Sequence, residues 1–303
     1  MLIPLLQTMR LRQWPKNGFV FVPLLFDGQL FDPQSVLRAV IAFFLLCLMS
    51  SAVYIMNDLG DIESDRQHPR KQLRALPSGR LNPSVALVAA IIFALGSLLA
   101  GFYLSTRFGL ILLVYLILQI AYTFWLKHVV LVDVSIVAAG FILRIAAGVA
   151  IITVERFSPW LYIFGGFLAL FLALGKRRHE LVLLGDDAGN HRAILDEYNL
   201  ELLDRLIGIV TTSAIVAYSL YTFLAEGLPE NNIMMLTIPF VLYGMFRYLY
   251  LIHVRHEGGA PEEILLRDVP TQVSVLLWAF VVFLALYIWP CTWCTNLLNR
   301  LSN

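Results

Sequence analysis

Asn57, Asp58, Asp61 and Asp65 stand in the stretch NDLGDIESD, directly after a long apolar run. The aspartates are spaced three and four apart. On a helix, residues so spaced share one face, with Asn57 beside them. Carboxylates on one stripe repel one another unless a cation lies between them. Hard oxygen donors of this kind suit Mg2+, which keeps several waters and bridges to substrate phosphates. The alternative is a solvated helix end whose acids pair with Arg66, Arg70 and Lys71. The spacing, the asparagine and the position at a membrane edge favour the metal site. Asn57, Asp58, Asp61 and Asp65 are therefore the candidate ligands, with Asp58 and Asp61 as the candidate catalytic residues.

A second polar stretch, GKRRHELVLLGDDAGNHRAILDEYN, carries the opposite charge where it opens. Lys176, Arg177 and Arg178 are consecutive, and Asp186 and Asp187 are adjacent, so those two acids cannot share a helix face. A basic cluster does not hold a metal; it binds anions directly, Arg often with two parallel hydrogen bonds. The alternative is an anchor of basic residues at a membrane boundary. With Lys176, Arg177 and Arg178, the residues Glu180, His191 and Arg192 are candidate substrate-binding residues, as are Arg66, Lys71 and Arg74 beside the aspartates.

Five more residues join the candidate substrate site from elsewhere. Lys16 and Asn17 follow RQWP, where a snorkelling anchor with Trp14 is the competing reading. Tyr122 and Lys127 close an apolar segment. Arg144 lies within GFILRIAAG, and an arginine there needs a partner or a wet cavity. Asp133 or a phosphate would serve. Snorkelling is enough to explain Arg247. Glu262, Glu263, Arg267 and Asp268 form either a lid or a solvated loop.

The elements that must position these groups are membrane helices. The chain has 303 residues, 59% of them hydrophobic and 14% charged, with a net charge of +1 and a mean hydropathy of +0.76. A soluble domain rarely has this composition, and no nucleic-acid partner is expected. A helix crossing a bilayer needs about 20 apolar residues. Nine apolar segments appear, near 17–31, 35–56, 83–104, 108–126, 130–152, 159–175, 206–225, 233–252 and 273–292. The first is short and interrupted by proline. The longest polar connections are 57–82 and 176–205, and connections of that length are usually functional. With the N-terminus inside, most Lys and Arg fall on the cytoplasmic side, both polar connections included. The expected protein is a single all-α domain spanning 1–303, a multi-pass protein of the cell membrane with a cytoplasmic site. The N-terminal stretch does not read as a signal peptide. Cys291 and Cys294 form a lone CxxC without a second Cys/His pair, so a metal site there is not expected.

NDLGDIESD resembles the NDxxDxxxD motif of the UbiA superfamily of membrane prenyltransferases, and HPRKQLRALPSGRL is similar to its usual continuation. The resemblance implies a nine-helix bundle whose motif binds Mg2+ and a diphosphate, with Asn57, Asp58, Asp61 and Asp65 in that role. Aromatic prenyltransferases of the superfamily carry a second Asp-rich motif where this chain has Lys176, Arg177 and Arg178. RLRQWPKN, VDVSIVAAGFILRIAAG, GKRRHEL, HRAILDEYN and PEEILLRD together resemble the decaprenyl-phosphate phosphoribosyltransferase branch. That branch transfers 5-phosphoribose from phosphoribosyl pyrophosphate to a polyprenyl phosphate, with inversion at C1. It leads toward a lipid-linked arabinose donor for the cell wall. The expected partners are thus phosphoribosyl pyrophosphate, a polyprenyl phosphate and membrane lipids.

The chemistry agrees with the resemblance. One metal serves the leaving diphosphate, and a separate basic site serves the 5-phosphate. The acceptor phosphate is ionised and needs no general base, and His68, His128, His179 and His191 are scattered through the polar connections. The competing enzyme is a prenyl-diphosphate transferase with an aromatic or other small acceptor, which would need a second acidic face. A cation transporter would need acids at mid-membrane rather than at a helix end.

Overall fold

The computed structural model describes residues 2–67, 71–152, 154, 157–184, 193–229, 231–255, 264 and 267–289. Helices make up all of its regular structure among these residues. They are α1 (Leu2–Thr8), α2 (Val22–Phe26), α3 (Pro33–Gly60), α4 (Ile62–Gln67), α5 (Pro83–Leu104), α6 (Thr106–Phe124), α7 (Val132–Ile151), α8 (Pro159–Leu184), α9 (Leu200–Leu224), α10 (Ile238–His253) and α11 (Val269–Phe283). A 3-10 segment, Leu11–Phe21, links α1 to α2. Another, Ile233–Thr237, leads into α10, and a π-turn, Leu284–Ile288, extends α11.

Eight of the resulting helical stretches are long and apolar enough to cross a membrane, among the described residues. They correspond to the expected segments from 35–56 onward. The segment expected at 17–31 takes another form: a 3-10 run, then the short α2. Pro15 and Pro23 each withhold a backbone N–H, and Asn17 and Gly18 are weak helix formers.

Side-chain caps set the starts of the long helices. The carboxylate of Asp32 accepts from the Ser35 N–H at 2.8 Å before α3, and Asn82 accepts from Ser84 at 2.8 Å before α5. Asn199 accepts from Leu202 at 2.8 Å before α9, and Asp268 from Thr271 at 3.0 Å before α11. Proline follows the cap at α3, α5 and α11, where its missing N–H costs nothing.

The chain forms two compact units. The first comprises Met1–Leu25, Gln29–Leu126 and Leu143–Glu155. Its core joins Ala39, Ala42, Leu46, Met49 and Ile55 of α3 to Ala86, Ala90 and Ala94 of α5 and Phe108 and Leu112 of α6. Alanines four apart let helix backbones approach closely, which is how membrane helices associate. At Gly148 on α7, a Cβ would lie 2.2 Å from the Val20 carbonyl oxygen. Only glycine lets α7 lie so close to the segment bearing Lys16 and Asn17.

The second unit comprises Phe26–Gly28, Lys127–Ile142 and Arg156–Asn303. Its core gathers Phe171 and Leu174 of α8, Ile207, Val210 and Ala214 of α9, and Met245, Tyr248 and Ile252 of α10. A Cβ at Gly175 would meet the Tyr248 ring at 2.9 Å, so this glycine sets the approach of α8 to α10.

Candidate active site

The acidic residues sit where α3 gives way to α4. The helical trace loosens at Asp61, whose φ is −98° and ψ 7°, yet i to i−4 hydrogen bonds persist on both sides of it. Asp61 N–H donates to the Asn57 carbonyl at 3.0 Å, and Asp65 N–H donates to Asp61 at 2.8 Å. The spacing read from the sequence therefore survives the break. The Asn57 amide donates to Asp61 Oδ2 at 3.0 Å. Asp58 and Asp65 are buried. They converge on one atom: Arg74 Nη1 lies 2.7 Å from Asp65 Oδ2 and 3.4 Å from Asp58 Oδ1. Arg10 Nη2 donates to the same Asp58 oxygen, and Lys71 Nζ lies 3.8 Å from Asp65.

This arrangement tests the metal reading. Among the described residues, no three acidic, histidine or cysteine side chains form a metal cage. Two buried carboxylates do share one cation, the Arg74 guanidinium. Mg2+ is commonly held by one or two carboxylates, with waters and substrate phosphates supplying the rest. The donor set fits such an ion. The competing expectation, acids paired with basic residues of the same connection, is realised by Lys71 and Arg74. Arg66 is taken instead by Glu63 at 2.9 Å, and both are exposed. Arg70 and His68 lie outside the described residues.

Asn17 and Arg144 meet in the core of the first unit. Arg144 Nε donates to Asn17 Oδ1 at 2.8 Å, and Nη2 donates to the Tyr115 hydroxyl at 3.0 Å. The Asn17 amide in turn donates to Ser50 Oγ at 3.2 Å and contacts Cys47 Sγ at 3.3 Å. Arg144 is thus held by an asparagine and a tyrosine, while Asp133, its partner considered from the sequence, receives Arg177 and Tyr198. A buried charge needs such partners. Lys16 is half-buried on the same 3-10 segment. Tyr122 is half-buried near the end of α6, and Lys127 follows in the 3-10 turn Leu126–His128.

In the second unit, the consecutive Lys176, Arg177 and Arg178 point in different directions, because neighbours on a helix are about 100° apart. Lys176 is exposed; the two arginines are buried. Arg177 Nε donates to Asp133 Oδ2 at 2.8 Å and Nη1 to Glu180 Oε2 at 2.8 Å. Arg178 Nε donates to Asp204 Oδ1 at 2.6 Å, where His253 Nε2 also approaches at 3.2 Å. The expected trio of cations presented together is therefore divided. Asp133 also accepts from the Tyr198 hydroxyl at 2.7 Å, and that oxygen accepts from the Leu131 N–H at 2.8 Å. Burial, with the bond to Asp133, pushes the Tyr198 phenol up to about 12, so it remains a donor. Arg247, expected to snorkel, makes a two-point pair with Asp268: Nη2 to Oδ1 at 2.7 Å and Nε to Oδ2 at 3.1 Å. His191, Arg192, Asp186, Asp187, Glu262, Glu263, Cys291 and Cys294 lie outside the described residues.

Sequence reasoning missed Arg10, Asp204 and the partner of Asp133. Arg10 lies 48 residues from Asp58, and no local pattern connects them.

The apolar helices and the carboxylates at the end of α3 agree with the class of membrane transferase to which the family comparison assigns the chain. The chain belongs to the UbiA prenyltransferase family, whose model matches residues 19–257. It is a multi-pass membrane protein. Along its length it is similar to proteins named decaprenyl-phosphate phosphoribosyltransferase. One, from Corynebacterium glutamicum, is 33% identical over 94% of this chain and 87% of its own. Another, from Mycobacterium tuberculosis, is 34% identical over 91% of this chain and 92% of its own. Among solved structures, a UbiA homolog from Archaeoglobus fulgidus bound to GPP and Mg2+ superposes with a TM-score of 0.70. It is 17% identical, with 93% of this chain and 99% of that one covered, and it shows the shared fold.

Proposed function

We propose that this chain transfers 5-phosphoribose from phosphoribosyl pyrophosphate to a polyprenyl phosphate and releases pyrophosphate. The observation that carries this reading is the similarity over nearly the whole chain to proteins of that name. The bond from C1 to the diphosphate oxygen breaks, and a bond from C1 to an acceptor phosphate oxygen forms. Asp58 and Asp65 would hold Mg2+, with Asn57 and Asp61 beside them. When bound, the ion supplies charge neutralisation for the leaving diphosphate. Arg74 and Lys71, which lie against these carboxylates, would donate to diphosphate oxygens. The acceptor, a phosphate monoester with a second pKa near about 6, is largely ionised at neutral pH. No side chain has to take its proton, so the work of the site is positioning and electrostatic stabilisation. Lys176, exposed on α8, is the proposed phosphate contact of the second unit. The distribution of Lys and Arg supports a cytoplasmic N-terminus and site in the cell membrane. The product would lead toward a lipid-linked pentose donor for cell-wall synthesis.

The test supplies purified protein with labelled phosphoribosyl pyrophosphate, polyprenyl phosphate and Mg2+. Label should move into the lipid phase only when all three are present. Absence of lipid-borne label, together with prenylation of an aromatic acid from a prenyl diphosphate, would overturn the proposal.

A further inference from the structure

Asp58 and Asp65 are buried carboxylates that already have counter-cations, and those cations arrive from outside the acidic stretch. Arg74 comes from the polar connection that follows it. Arg10 comes from the junction between α1 and the 3-10 segment. Its backbone is left-handed, with φ 53° and ψ 55°, a conformation that residues with a Cβ seldom adopt. Its guanidinium lies 5.0 Å from the centre of the Tyr54 ring and donates to Asp58 Oδ1. The Arg10 and Arg74 side chains are 31% and 35% exposed, whereas the Asp58 and Asp65 side chains they meet are 5% and 2% exposed. The cations therefore cover the carboxylates from the open side.

Their position has an electrostatic consequence. Asp58 and Asp65 face Arg10, Lys71 and Arg74. A divalent cation arriving alone would have to displace a guanidinium and leave it close by, like charge against like. A cation arriving with a diphosphate brings the anion that the displaced guanidiniums require. We propose that Arg10 and Arg74 make metal and diphosphate binding interdependent. They guard the carboxylates while the site is empty, and they turn to the diphosphate oxygens when both ligands are present. Arg10 thereby becomes a diphosphate-contacting residue that no local motif marks. This inference rests on the metal–diphosphate reading of the acidic cluster.

The experiment measures retention of radiolabelled Mn2+ by the full chain in equilibrium dialysis, with and without inorganic pyrophosphate. Wild type should hold Mn2+ about tenfold more tightly with pyrophosphate than without it, a usual size for coupling between two ligands. Arg10→Ala and Arg74→Ala should bind Mn2+ alone more tightly than wild type and bind pyrophosphate more weakly, so that the coupling shrinks. Arg10→Lys should keep it. Arg10→Gly removes the same charge while relaxing the left-handed backbone, and it should behave as Arg10→Ala does if the alanine variant fails to fold. Equal Mn2+ affinity with and without pyrophosphate in wild type would overturn the inference and leave the metal site standing. So would Arg10→Gly and Arg74→Ala variants that bind Mn2+ alone no more tightly than wild type. A wild type that retains no Mn2+ under either condition would remove the metal–diphosphate reading itself.

Discussion

Two regions of this molecule are built from the same pair of residue types and behave differently. At the junction of α3 and α4, Asp58 and Asp65 are buried while Arg10 and Arg74 are each about a third exposed. At the basic end of α8, the Arg177 and Asp133 side chains are 5% and 0% exposed. A cation on the rim of a buried carboxylate can be exchanged for another cation. A cation buried with its carboxylate cannot, because separating the two would strand a charge in a medium that solvates it poorly. Which member of the pair reaches water thus decides whether an Arg–Asp contact serves as a site or as a strut.

The first way to break this contrast is to remove the strut. Asp133→Ala leaves Arg177 buried with one of its two carboxylates missing and should cost about 3–5 kcal/mol. Thermal unfolding of the detergent-purified variant should show a large drop in midpoint, or the variant should fail to accumulate. An unchanged midpoint would place Arg177 among the exchangeable cations. Asp58→Ala should do the reverse. Its partners are open to water, so the fold should survive, while transfer of label to lipid falls by about a hundredfold or more, the worth of several kcal/mol at a charged transition state. Loss of the fold along with activity would make Asp58 structural.

Smaller changes sharpen the comparison. Lys176→Ala should leave the unfolding midpoint alone and raise KM for phosphoribosyl pyrophosphate by about tenfold, the worth of one charge-assisted contact of about 1.4 kcal/mol. A KM equal to wild type would make Lys176 an anchor. Tyr198→Phe deletes one donor to Asp133 and should lower stability by about 1 kcal/mol without altering donor KM.

The last prediction concerns pH. The hydrogen bond from Arg247 holds the Asp268 carboxyl at about 2, well below its ordinary value. A depressed carboxyl pKa stabilises the fold above its unfolded value, near about 3.9. That contribution should fade as pH falls from there toward about 2. Unfolding midpoints of wild type and Asp268→Asn should therefore differ at neutral pH and converge across that window; a gap that persists at pH 2 would show that the pair contributes through packing rather than charge.

Much of this is legible in the amino-acid sequence. The apolar segments from 35–56 onward became long helices because some twenty apolar residues in a row have few other ways to satisfy their backbone. The NDLGDIESD spacing placed Asn57 beside Asp61 because i and i+4 are neighbours on any helix. Partners across the chain were not legible. Arg144 read as a partner for Asp133 or for a phosphate, and its hydrogen bonds to Asn17 and Tyr115 were not foreseen. Arg177 and Arg178 read as one patch of charge, yet a turn of about 100° between successive residues sent them to different carboxylates. The segment at 17–31, already marked as short and interrupted by proline, follows a broken path set by Pro23 within it and Pro15 just before it.

The sequence by itself determined the helices, their caps, the family and the spacing of the acidic motif. All of these depend on residues within a few turns of one another. The tertiary structure alone decided which charges are shared, which are spent on the fold and which stay open to water. Burial and pairing depend on residues tens of positions apart or more, and Arg10 reaches Asp58 because the chain on either side of it is tied to α3, where Ser51 Oγ donates to the Met9 carbonyl and accepts from Trp14 Nε1.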